Sequence, residues 1–219
     1  MKRIIFTLVT FLMVLGANAQ DPFYPKKEGV KLSYTLTDKK GKVSGYSEST
    51  VVSVKNSGTQ TEVTMQTMSK DKNGKDILQN PMDLTVMIED GAVIMSPKAL
   101  AGKIVAGLDI TGGDLRLPVN LTTGTTLNDY DITMGIAGIN TTSHITDVKA
   151  VAEETLEVSG HSIPCVVVES TSSVKVLGIK RSSLQKTWYG RGVGIVKLET
   201  YDNKGKLEST QTLTSIEGL

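Results

Sequence analysis

The stretch VKLSYTLT, Val30 to Thr37, places Val30, Leu32, Tyr34 and Leu36 on one side and Lys31, Ser33, Thr35 and Thr37 on the other. That period of two fits an extended strand with one covered face, because successive side chains leave a strand in opposite directions. The same alternation recurs in TVVSV, TEVTMQT, DLTVMIE, DITMGI, SHITDVKAV, ETLEV and SSVKVL, with Thr, Ser and Lys filling the polar side. A chain patterned in this way folds mainly as antiparallel sheet with one solvated face. IPCVVVES departs from the rule. It is apolar on both sides from Cys165 to Val168 and reads as a central strand covered on both faces.

Three segments of one form punctuate the strands: TDKKGKV at 37–43, KDKNGKD at 70–76 and YDNKGKL at 201–207. Asp bonds its own backbone and Gly accepts a tight turn, so these are hairpin tips. A calcium loop needs several alternating carboxylates and a late Glu, which they lack. NSG at 56–58 and EDG at 89–91 mark two further turns. SPKALAGKIVAGL, Ser96 to Leu108, reads as the one short amphipathic helix, with Ser96 as cap, Pro97 at its first position and Leu100 and Ile104 on its apolar face. DITGGDLRLPVNLTTGTTLND follows and reads as irregular chain with an edge strand. No linker divides the chain, which is expected to form one domain over residues 20–219.

MKRIIFTLVTFLMVLGANA, residues 1–19, has the order of a secretory signal: Lys2 and Arg3, an apolar run, then Ala17-Asn18-Ala19 for cleavage before Gln20. The apolar run is short for a membrane span, and no cysteine follows it for a lipid anchor. Removing Lys2 and Arg3 from the 24 basic residues leaves 22 against 23 acidic ones. That balance argues against nucleic acid as a partner. The rest of the chain holds no second long apolar run, so no transmembrane span is expected in the mature chain. Cys165 is the one cysteine, which excludes an intramolecular disulfide.

TWYGRGVGIVKLETYDNKGK, Thr187 to Lys206, most resembles a site, with Gly190, Gly192 and Gly194 at every second position. A dinucleotide fingerprint needs G-x-G-x-x-G opening a helix. Here the spacing is G-x-G-x-G and a strand follows. The segment therefore reads as a structural corner between two strands, with Trp188 or Tyr189 packing across the glycine face and Arg191 as a surface charge. His144 and His161 are the two histidines, too few and too scattered for a metal site. Cys165 lies in an apolar run, where a thiol stays protonated. Glu153 and Glu154 read as turn neighbours pointing apart. No motif names a catalytic residue, metal or cofactor, and the chain is read as a non-enzyme. Six methionines, Met65, Met68, Met82, Met87, Met95 and Met134, fall between 65 and 134. Methionine serves both as core filler and as lining for varied apolar ligands.

The opening at Tyr24 to Gly29, the DKKGK tip and the closing WYGRGVGIVKLE segment together resemble the TapB-type group of exported proteins of Bacteroides-like Gram-negative bacteria. The resemblance covers most of the chain after residue 19 and extends to the periplasmic lipoprotein carriers LolA and LolB. It implies a mainly β fold: one strongly curved antiparallel sheet, a half-barrel, with a short helix in or over its concave side. It transfers no catalytic residue, and the lipobox cysteine of LolB is absent. The expected function is a periplasmic or outer-membrane-associated carrier, or an extracellular one, for an apolar or lipid-like ligand. Its cavity is expected to be lined by Met65, Met87, Met95, Leu100, Ile104 and Met134. The alternatives are an envelope accessory protein that binds another protein without a small ligand, and a hydrolase.

Overall fold

The computed structural model describes residues 21–77, 80–97, 108–136, 139–176 and 179–219. The expected leader and residues 98–107 of the expected helix, with Leu100 and Ile104, lie outside these residues, and Leu108, expected to end that helix, opens a strand. The strands of the first half are β1 (Lys31–Asp38), β2 (Val43–Ser57), β3 (Gln60–Asp71), β4 (Met82–Glu89) and β5 (Ala92–Met95). Two short strands follow, β6 (Leu108–Gly112) and β7 (Leu115–Pro118). The second half holds β8 (Tyr130–Ile136), β9 (Ile139–Val158), β10 (His161–Val176), β11 (Ile179–Gly190), β12 (Gly194–Tyr201) and β13 (Leu207–Glu217). All belong to one 13-stranded sheet in the order β6-β8-β9-β10-β11-β12-β13-β1-β2-β3-β4-β5-β7.

The two outermost strands prove the curvature. Laid flat, twelve strand spacings of about 4.8 Å would part the edges by about 58 Å. Yet β6 and β7 sit on opposite edges and only Gly113 and Asp114 separate them in the chain. Three Cα steps reach about 11 Å at most, so the sheet must curl until its edges nearly meet. β6 and β7 also run in the same sense. Residues 108–118 therefore act as one strand that pairs with β8 in its first half and with β5 in its second. This segment, expected to be irregular chain with one edge strand, supplies both edge strands and is the seam of the half-barrel. No ladder joins β6 to β7 side by side.

Strand direction gives the half-barrel two unlike ends. The tips between β1 and β2, after β3, and between β12 and β13 share one end, as the pairings Asp38↔Ser209 and Gly45↔Asp71 require. At each tip one carboxylate oxygen accepts two backbone N–H groups: Asp38 from Lys40 and Lys42, Asp71 from Asn73 and Lys75, Asp202 from Lys204 and Lys206, at 2.8–3.0 Å. Those bonds hold all three carboxyls below the usual carboxylate range, so the tips stay ionised and closed well into acid. The opposite end is filled. Phe23, Val30, Leu117 and Leu121 are almost wholly buried there, and the chain between β7 and β8 lies across it, bonding Leu127 N–H to the Val148 carbonyl at 2.8 Å.

The alternation of the strands is kept. Leu32 and Tyr34 of β1, Val63 and Met65 of β3 and Val86 of β4 are all buried in the concave core. β9 joins two segments that read as separate strands. Glu153 and Glu154 lie inside it, not in a turn, and register shifts against β10 bend it. The bend folds the β9–β10 hairpin back over the sheet, where the Ser159 hydroxyl donates to the Thr214 carbonyl at 3.2 Å. β9 and β13 are separated by three strands, so this contact crosses the outer face. Cys165 to Val168 are consequently buried on both sides.

Candidate functional site

The concave side is filled at one end and hollow at the other. A cavity of about 430 Å3 lies just inside the seam. Leu84 and Met95 line one wall, Ile110 and Leu115 the seam strand, and Ile132, Met134 and Ile145 the far wall. Its polar lining is neutral: Tyr130, Ser96, Ser143, Ser172 and Gln185. A second hollow of about 300 Å3 shares Leu84 and Met95 with the first and continues along Leu32, Tyr34, Leu36, Met65 and Met82. The two hollows adjoin at Leu84 and Met95 and together make an apolar chamber, with Met134, 42% exposed, at the mouth of the first.

Of the residues expected to line a cavity, the structure brings Met65, Met95 and Met134 to this chamber. Met87 is a correction. It follows buried Val86, and strand alternation turns it to the convex face while Met82 and Leu84 turn inward. Leu100 and Ile104 lie outside the described residues. Met82, Leu84, Ile110, Leu115, Tyr130 and Ile132 were not anticipated, although period-two reading of DLTVMIE and DITMGI places Leu84 and Ile132.

The glycine-rich stretch is a three-residue hairpin loop between β11 and β12, closed by the Gly190↔Gly194 pair. Gly192 and Gly194 have φ of 70° and 100°, the left-handed region that favours glycine. A Cβ on Gly190 would stand 2.5 Å from Val196 Cγ2 and 2.7 Å from Ile163 Cγ2, so close packing on the outer face dictates that residue. The aromatic ring against the corner is neither Trp188 nor Tyr189 but Tyr24, whose ring carbons lie 3.6 Å from the position of a Gly194 Cβ. Trp188 faces outward, where its indole N–H donates to Glu154 at 2.8 Å and Lys197 sits 4.5 Å over its ring. Tyr189 faces inward, and burial raises its hydroxyl pKa far above the ordinary tyrosine range. Arg191 is a clamp and not a free surface charge. Its guanidinium donates to the Val119 carbonyl at 2.7 Å and the Asp21 carbonyl at 3.4 Å, and stacks 4.6 Å from the Phe23 ring.

The remaining candidates are held apart. His144 Nδ1 lies 2.8 Å from Asp131 Oδ1 as an exposed cross-strand pair. Glu153 and Glu154 point to different partners, the Thr123 N–H and Trp188. Among the described residues no three His, Cys, Asp or Glu side chains converge as metal ligands. Burial, reinforced by Glu154, pushes the Cys165 thiol up to about 12, and its Sγ lies 3.4 Å from the Ile163 carbonyl. At neutral pH almost no thiolate exists to react. A maleimide should therefore label Cys165 slowly in the native protein and at the free-thiol rate in denaturant. Equal rates in the two conditions would show the thiol accessible and contradict its burial.

These features define a class, an open antiparallel half-barrel with an apolar chamber under one rim. The chain belongs to the DUF3108-like family, whose model matches residues 27–213. Among solved structures it is similar to an exported-protein candidate with a YmcC-like fold from Bacteroides fragilis, at 20% identity and a TM-score of 0.75, over 90% of this chain and 100% of that one. It is also similar to a lipoprotein candidate from Parabacteroides distasonis, at 16% identity and a TM-score of 0.78, over 90% and 99% of the two chains. Identities this low establish a shared fold. No curated protein matches. Among the described residues no helix is long and apolar enough to cross a membrane.

Proposed function

We propose that the protein is an exported cell-envelope carrier whose chamber takes an apolar or amphipathic, lipid-like ligand. The observation that carries this reading is the hollow itself. At about 430 Å3, with a second hollow of about 300 Å3 adjoining it at Leu84 and Met95, it falls in the range of about 300–1,000 Å3 typical of small-molecule sites. Its walls carry no charged side chain, so an acyl chain enters without stranding a charge, and any ionised head group stays at the mouth. The leader-like residues 1–19, the description of the two structural relatives as exported-protein and lipoprotein candidates, and the resemblance to TapB-type proteins and to LolA and LolB support an envelope location.

Native mass spectrometry of protein purified from its own envelope tests this reading. It should show bound lipid, and the protein mass should correspond to a chain beginning at Gln20. A fatty acid at a hundredfold its Kd should add about 2.7 kcal/mol of stability. Ser143→Phe places a ring in the chamber and should remove that gain while the protein remains folded by circular dichroism. If no lipid is bound and no acyl chain stabilises the wild type, the carrier reading fails.

A further inference from the structure

We propose that the rim formed by the three hairpin tips is a docking surface for anionic lipid head groups, and that it seats the half-barrel with its chamber mouth facing a membrane. The tips of β12–β13, β1–β2 and β3 stand side by side, because their strands are neighbours in the sheet. Each presents two or three exposed lysines. The neighbouring β11 adds exposed Lys180 and Arg181. None of the described ion pairs involves a tip lysine. The tip aspartates Asp38, Asp71 and Asp202 are turned inward onto their own backbone N–H groups. Exposed Asp76 offsets one lysine of the second tip, and exposed Glu208 offsets one charge of the third. The far end is mixed, with Lys26, Lys27 and Lys55 among Glu28, Glu62, Glu89, Asp90 and Glu153. A chain that is nearly neutral overall thus gathers an excess of lysine at the tip rim.

Charge alone would suit an acidic protein equally well. The apolar residues at the same rim favour lipid. Ile77 is 62% exposed beside the second tip, Val43 follows the first tip at 39%, and Tyr46 stands just below it at 40%. Isolated large apolar side chains among lysines are what a water–lipid interface accepts: the ammonium groups meet phosphates while Ile and Val enter the acyl boundary and Tyr sits at head-group level. Clusters of about four to eight Lys or Arg suffice to attract a protein to an anionic leaflet. Lysine suits this role because it acts as a mobile point charge without needing a fixed bidentate partner. The inference does not depend on what fills the chamber, since docking uses the rim alone.

Flotation with vesicles tests it. The protein should float with phosphatidylcholine vesicles containing phosphatidylglycerol, much less with phosphatidylcholine alone, and binding should fall steeply with added salt. Lys40→Glu with Lys204→Glu should lower binding to anionic vesicles by more than about tenfold. Lys26→Glu with Lys55→Glu makes the same charge change at the far end and should leave binding nearly intact. Ile77→Ser should weaken binding without changing its salt dependence. All sites are exposed, and matching melting temperatures would confirm that each variant is folded. Equal losses from the two charge pairs would mean that net charge and not the rim is read, which overturns the proposal. Absence of wild-type binding to anionic vesicles overturns it too. Rim-dependent binding to an acidic protein in that circumstance would assign the surface to protein docking instead.

Discussion

Replacing Gly112 with alanine is expected to cost about 3–5 kcal/mol, combining overpacking, backbone strain at positive φ and lost ladder bonds. Gly112 has a φ of 151°, and a Cβ there would lie 2.1 Å from the Asp131 carbonyl oxygen and 3.0 Å from the Asp131 carbonyl carbon and the Ile132 Cα. Every obstructing atom is backbone, so no side chain can rotate away. Relief requires β6 to part from β8 at the Gly112↔Ile132 pair, next to the Gly113 N–H bond to Asp131 at 2.9 Å. This is the point where the seam strand changes partners. Urea unfolding should register the loss as a lower midpoint, and amide exchange should speed up first in β6 and β8. A loss below about 1 kcal/mol would mean that the seam yields easily and that the strand exchange does not hold the half-barrel together.

Arg191→Ala should be the next most damaging change, at about 2–4 kcal/mol. The guanidinium joins three separate pieces of chain: the β11–β12 loop, the Val119 carbonyl beyond β7 and the Asp21–Phe23 segment. Without it the Val119 carbonyl loses a charged donor at 2.7 Å and the Phe23 ring loses its cover. Arg191→Lys keeps the charge but not the fork, and should recover less than half of the loss. Denaturant unfolding of the two variants measures this directly. If alanine proves neutral, the contacts are incidental. If wild-type protein is stabilised by nucleotides and the alanine variant is not, the loop binds phosphate after all.

These two residues also show where sequence reasoning stops. The strands were legible because a sheet with one wet face writes its geometry into every second residue, as in Leu32, Tyr34 and Leu36. The tips were legible because Asp38, Asp71 and Asp202 bond to amides two and four residues away. Both are local effects. Arg191 was read as a surface charge because its partners lie 72 and 170 residues away, and nothing near it in sequence announces them. The seam was hidden for a related reason. Residues 108–118 face different neighbours in their two halves, and the Gly112-Gly113 kink between them breaks the periodicity that would mark one strand. Met87 is a different case. Val86 and Ile88 beside it already assign it to the other face, but clustering by residue type overrode alternation. The methionine cluster still led toward the chamber, since Met65, Met82, Met95 and Met134 lie on inward faces.

The pairing of β1 with β13 has a consequence for how the chain comes together. Most ladders join strands close in sequence, but Lys31 pairs with Glu217 and Asp38 with Ser209. A chain emerging from its N-terminal side therefore completes β1 and β2 long before the second partner of β1 exists. Throughout that interval one side of β1 offers unpaired N–H and C=O groups beside Leu32 and Tyr34, the kind of edge that recruits strands from other chains. Closing so long a loop also delays the step. The period of greatest vulnerability thus falls between the appearance of the first strand and that of the last, and a holding chaperone that shields the Lys31–Asp38 edge would protect the chain through it.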